Sequence, residues 1–199
     1  LEVMIRPGRS VIQKYSLVNN GEAAIITPRL VPYAGEGFDT STEFQKESWI
    51  SFLNSDVSFG KSFFLEKGTE RQLSLRINPA EGTPEQDYYR LILFTSTEHP
   101  GIETTHSGIS QSIASILLIN VTASGLARKE AQITQFKLPQ IIDSFEPVAG
   151  NIEVKNMGDT YFRTIGEISL TGPMTQAKFQ LLPKVILKDE TKKLLSEMS

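Results

Sequence analysis

Residues Ser10 to Pro32 read SVIQKYSLVNNGEAAIITPRLVP. Two runs rich in Val, Ile and Leu flank Asn19-Asn20-Gly21-Glu22. β-Branched and aromatic residues favour the pleated strand, and Asn-Gly accepts the positive φ angles of a tight turn. The spacing therefore predicts strands over Val11 to Val18 and Ala23 to Pro32, joined as a hairpin. In the first of them Val11, Gln13, Tyr15 and Leu17 share one face, because side chains alternate along an extended chain. The pattern aliphatic, x, Asn, x, Gly, acid returns at Val154-Lys155-Asn156-Met157-Gly158-Asp159. The chain accordingly reads as two units, each built round one such turn.

Outward from that stretch, strand signals continue. Leu1 to Ile5 is a first strand stopped by Pro7-Gly8, and Trp49 to Leu53 and Ser62 to Leu65 are short apolar runs. Gln72 to Ile77 alternates, with Leu73, Leu75 and Ile77 set against Ser74 and Arg76. Tyr88 to Thr95 reads as a buried strand. Ile109 to Ala123 is also assigned as strand, because β-branched residues dominate and its serines are poor helix formers. Ala34 to Lys46 and Ser96 to Gly108 are polar and read as loops. Short strands at this spacing, punctuated by Gly, Pro and Asn, describe a β-sandwich.

Ser124 to Glu130 is small, flexible and then charged, which places a boundary there. The prediction is an all-β protein of two sandwich domains in tandem, 1–125 and a smaller 126–199. In the second, Ala131 to Leu138, Gly150 to Lys155, Thr160 to Leu170 and Lys178 to Leu187 carry the strand patterns. The tail Asp189 to Met198 fits either a short helix with an acidic N-cap or a last strand.

Composition narrows the function. The 199 residues contain no Cys, which removes disulfides, thiolate nucleophiles and thiolate metal sites. Residues 1–125 hold 10 basic and 14 acidic side chains, and residues 126–199 hold 10 and 9. Neither part has the basic excess of a nucleic-acid binder. No run of ~18 apolar residues suggests a membrane span, so any membrane attachment is expected through a segment outside this chain. A start on Leu1 in a strand-like run, with no leader-like pattern, suggests a mature or trimmed form.

The order of these motifs resembles a known class. Leu65-Glu66-Lys67-Gly68-Thr69, Pro84-Glu85-Gln86-Asp87-Tyr88-Tyr89 and Ile116-Leu117-Leu118-Ile119-Asn120-Val121 resemble the N-terminal immunoglobulin-like domain of bacterial cell-surface proteins of the WxL-interacting type. Val154 to Phe162 resembles the paired second domain. In immunoglobulin-like domains a Tyr at a strand start bonds back to upstream backbone, the role open to Asp87-Tyr88-Tyr89. The resemblance implies a non-catalytic, secreted or cell-surface binding or scaffolding protein whose partner is a protein or cell-wall polymer.

The chain more distantly resembles periplasmic pilus chaperones, which act by strand addition. Those hold a subunit's carboxylate between an Arg on the first strands and a Lys on the last strand of domain one. Arg6 and Arg9 match the first, but Ile109 to Ala123 has no basic residue. On the chaperone reading an apolar edge strand is exposed near Ile113 to Val121. A third reading, an accessory carbohydrate-binding module, needs Trp49, Tyr88 and Tyr89 as an exposed aromatic strip.

No motif demands an enzyme or a cofactor. There is no G-x-S-x-G, and Gly35-Glu36-Gly37 precedes no helix start. His99 and His106, with Glu98 and Glu103, have the donor types of a metal site. Their setting beside Pro100-Gly101 favours solvated loop residues, so these four are named as candidate partner-binding residues and not as metal ligands. Glu81, Glu85 and Asp87 lack the dense alternation of a calcium loop. Trp49 and Phe52 are assigned to the core. Arg71 and Arg76 read as a solvated strand face. Asn120-Val121-Thr122 fits a glycosylation site but sits within a predicted strand.

Overall fold

The structure is a computed structural model that describes residues 1–35, 47–98, 111–137, 151–171 and 176–194. Contacts divide the chain into two compact units, Leu1–Gly125 and Leu126–Ser199. All regular elements among the described residues are strands, and each unit is immunoglobulin-like.

The first unit contains β1 (Glu2–Ile5), β2 (Val11–Val18), β3 (Ala24–Pro32), β4 (Ile50–Phe52), β5 (Phe63–Leu65), β6 (Glu70–Ile77), β7 (Asp87–Glu98) and β8 (Gln111–Val121). One sheet runs β1-β8-β7-β3-β5 and the other β2-β6-β4. β1 pairs with β8 in parallel and the remaining pairs are antiparallel. This is the immunoglobulin-like order, with the first strand moved across to the sheet of the last.

Alternation explains the core. Leu73, Leu75 and Ile77 of β6 are wholly buried, as the sequence pattern predicts. They meet Leu30, Ile92, Leu117 and Ile119 from the facing sheet in one apolar cluster. Trp49, Phe52 and Tyr88 pack against it. Trp49 meets Tyr88 edge to face, with ring centroids 5.1 Å apart. The Tyr88 hydroxyl donates to the Pro84 carbonyl at 3.1 Å, which is the predicted corner. Pro28 sits inside β3 without breaking a ladder on that side, because β5 pairs only with Ala24 to Ile26.

One expectation fails instructively. β2 and β3 do not form a hairpin: β2 pairs with β6 and β3 with β7, in different sheets. The Asn19 turn hands the chain from one layer to the other. Gly21 does not take a positive φ. The Asn19 side chain builds the turn instead, its Oδ1 accepting from the Gly21 nitrogen at 3.0 Å. Its Nδ2 donates to the carbonyls of Glu22, Leu65 and Glu66.

The second unit contains β9 (Ala131–Lys137), β10 (Asn151–Asn156), β11 (Phe162–Arg163), β12 (Glu167–Thr171), β13 (Gln176–Gln180), β14 (Val185–Ile186) and β15 (Thr191–Leu194). The pairings are β15-β10-β9, β11-β14 and β12-β13. Ile152, Val154, Ile168, Ile186 and Leu194 form its core. The predicted strand over Thr160 to Leu170 is two strands, and Lys178 to Leu187 likewise falls into two. The tail is a strand through Leu194, not a helix, because Thr191 to Leu194 complete a ladder on β10.

Asn156 repeats the work of Asn19. Its Oδ1 accepts from the Gly158 nitrogen at 2.8 Å, and its Nδ2 donates to the carbonyls of Thr160, Ile186 and Leu187. It is wholly buried. The repeated sequence pattern is thus one physical device used twice: a strand-end amide that ties its own turn to a distant strand.

Candidate protein-interaction edge

β8 borders β7 on one side along its whole length, from Gln111 opposite Ser96 to Asn120 opposite Asp87. On the other side β1 covers only Leu118 to Val121. The backbone nitrogen of Leu1 reaches the Ile116 carbonyl at 2.6 Å, and the Leu118 nitrogen donates to the Leu1 carbonyl at 2.9 Å. Among the described residues no strand lies on the side of Gln111 to Ser115 away from β7. In an antiparallel ladder alternate residues aim their backbone groups to opposite sides. The Val121 and Leu118 bonds fix the parity: odd residues face β7 and even ones face outward. Ser112 and Ala114 therefore present N–H and C=O groups along the open edge.

The side chains change character at the same place. Leu117 to Val121 are buried, whereas Ile113 is 59 % and Ile116 is 40 % exposed. The exposed apolar edge expected over Ile113 to Val121 is thus confined to its first part, since β1 and the core take the rest. No residue of β8 is charged. Proteins usually blunt such an edge with Lys, Pro or a bulge, and this stretch has none of these. Hydroxyl contacts brace it, Thr95 with Ser112 and Ser96 with the Gln111 carbonyl.

Tyr15 of β2 backs this end of β8 from inside the sandwich. Burial raises its phenol above the ordinary value of 10.0, while the Ser115 hydroxyl acts in the opposite direction. Arg6, the predicted partner of a carboxylate, donates from Nη2 to the Ser124 carbonyl at 3.1 Å.

The other sequence candidates fall elsewhere. Glu98 ends β7 opposite Ala24. His99, Glu103 and His106 lie outside the described residues, as does most of the Ala34 to Lys46 segment. The acids near residue 85 serve the fold: Glu85 accepts from the Ala123 nitrogen, and Asp87 from Asn120 and Tyr89. Among the described residues no three His, Cys, Asp or Glu side chains gather as a metal group would need. Trp49, Tyr88 and Tyr89 are half-buried. The 78° between the rings of Trp49 and Tyr88 denies the flat strip of a sugar platform. Asn120 is buried, closed to glycosylation in the folded state.

Arg71 is not a solvated residue. It pairs with Asp56 and stacks over the Phe63 ring, 4.6 Å from its centroid. The Arg71 guanidinium in turn holds the exposed Asp56 carboxyl below its ordinary value. Sequence reading also missed the ion pair of Arg90 with Glu47, both side chains about 15 % exposed. Nothing in local sequence links residues 43 positions apart.

The second unit carries an apolar groove of about 700 Å³ between β9, β10 and the β11–β12 segment. Ile133, Phe136, Val154, Phe162, Ile165 and Leu181 line it.

No protein-family model matches the chain, and no curated protein does. The WxL-interacting resemblance thus has no support from either comparison. Solved structures with a similar fold include the class 5 fimbriae chaperone CfaA, at 12 % identity and TM-score 0.48, covering 96 % of this chain and 81 % of that one. The E. coli chaperone DraB gives 10 % identity and TM-score 0.49, covering 98 % and 82 %. The Salmonella enterica SafA pilin in complex with the SafB chaperone gives 13 % and 0.46, covering 98 % and 80 %. At these values the likeness is one of architecture and carries no functional weight.

Proposed function

We propose that the chain is a non-catalytic binding protein that holds an extended segment of a partner protein along the open edge of β8. The observation that carries this reading is the uncharged edge of Gln111 to Ser115 on the side away from β7, with exposed Ile113 within it and exposed Ile116 next to it. Strand addition uses such an edge for affinity and neighbouring side chains for register. The absence of a basic residue from β8 sets it apart from a carboxylate clamp, so recognition rests on the backbone and on the isoleucines. The sequence resemblance to periplasmic pilus chaperones supports a place outside the cytoplasm.

Ala114→Pro tests the proposal, because proline removes an outward N–H while leaving the β7 side untouched. With a short synthetic peptide of alternating Ile and Thr as probe, wild type is expected to bind at least about tenfold more tightly than the variant. Circular dichroism of the two should coincide. Equal affinity for both would remove the β8 edge from the binding surface.

A further inference from the structure

β9 is an outer strand of the second unit, paired with β10 on one side and with no strand on the other among the described residues. Several other outer strands have guards. β4 and β5 are three residues long. β15 carries Lys192 and Lys193, and β2 carries Lys14 near its middle. β9 reads Ala-Gln-Ile-Thr-Gln-Phe before Lys137, six residues without charge, Pro or Gly. Ile133 and Phe136 on it are 65 % and 53 % exposed. Such a segment is a template for pairing with another chain.

Its flanks say which chain. Glu130, whose carboxylate also pairs with Arg128 of its own chain, stands immediately before it and Lys137 at its end, both exposed. Laid antiparallel against itself, the strand sets Glu130 opposite Lys137 at both ends. Ala131 then faces Phe136, Gln132 faces Gln135, and Ile133 faces Thr134. The bulge in β9 fits this register. Gln135 pairs with Glu153 and Ile133 with Val154, so Thr134 is the extra residue and falls at the centre. A parallel arrangement would instead set like charges side by side. We infer that β9 pairs with β9 of a second copy of this chain across a two-fold axis, fixed by reciprocal Glu130–Lys137 pairs and covering Ile133 and Phe136.

The test is sedimentation of the full chain from micromolar to near-millimolar concentration. Wild type is expected to pass from monomer to dimer over that range. Lys137→Glu, and separately Glu130→Lys, should weaken the association about tenfold, because each converts two opposed pairs into two like-charge pairs. The double variant Lys137→Glu with Glu130→Lys should restore it. Ile133→Lys, at an exposed position, should abolish the dimer with circular dichroism unchanged. A wild-type chain that stays monomeric overturns the inference, as does a dimer indifferent to the single reversals or not restored by the double one.

Discussion

Asn156 shows how much a single side chain does here. Buried and four-fold bonded, it satisfies three carbonyls that would otherwise face apolar surroundings. Asn156→Ala should therefore lower unfolding free energy by about 2–4 kcal/mol, against about 1 kcal/mol for the half-exposed Asn19→Ala. Urea denaturation of the two variants measures both. The sequence displayed the repeated asparagines, but as turn formers with positive φ. Their long-range bonds to Leu65 and Ile186 were beyond it, because those partners are set by tertiary packing. Tyr15 gives a second test. Its folded pKa is raised, so the native state holds this proton more tightly than the unfolded chain does. Its contribution is complete below about pH 10 and is lost as pH climbs through the folded value. Absorbance titration of wild type against Tyr15→Phe should show one late-ionising phenol, and the variant should lose less stability on the alkaline side.

Among the elements, strands with strict alternation or unbroken apolar runs were plain in the sequence. β6 and the Leu117–Val121 part of β8 are the clearest, because burial on one or both faces writes itself directly into the pattern. The link between β2 and β3 was misread, since a turn motif reports a change of direction and not whether the chain stays in one sheet. The splitting of β11 from β12 was also hidden; Ile165, 88 % exposed, mimicked a core residue. The two turns differ in their glycines. A Cβ on Gly158 would lie 2.5 Å from the Arg128 carbonyl oxygen, whereas one on Gly21 would meet only the side chain of Asn19 at 3.6 Å. Gly158→Ala is expected to cost about 1–3 kcal/mol and Gly21→Ala less than about 0.5 kcal/mol, read from thermal unfolding midpoints. The cover on β8 was half visible: the sequence offered the apolar strand, but only the pairing with β1 shows that Leu118 to Val121 are covered.

For the molecule as a whole, the contacts that separate Leu1–Gly125 from Leu126–Ser199 carry a direct expectation. The first unit has its own two-layer core of aliphatic side chains. Residues 1–125 produced alone should give a β-type circular dichroism spectrum and a single cooperative urea transition. A spectrum of unfolded chain would show that this core depends on the second unit. β1 has a larger role than its four residues suggest. It lies parallel on β8 and occupies the same row of hydrogen-bonding groups that a visiting segment would need. Each pair of residues by which that ribbon is lengthened or peeled back closes or frees one backbone rung. On the proposed reading β1 and a captured segment would share one row of β8 rungs, so peeling β1 away from Leu118 to Val121 would open further places along it.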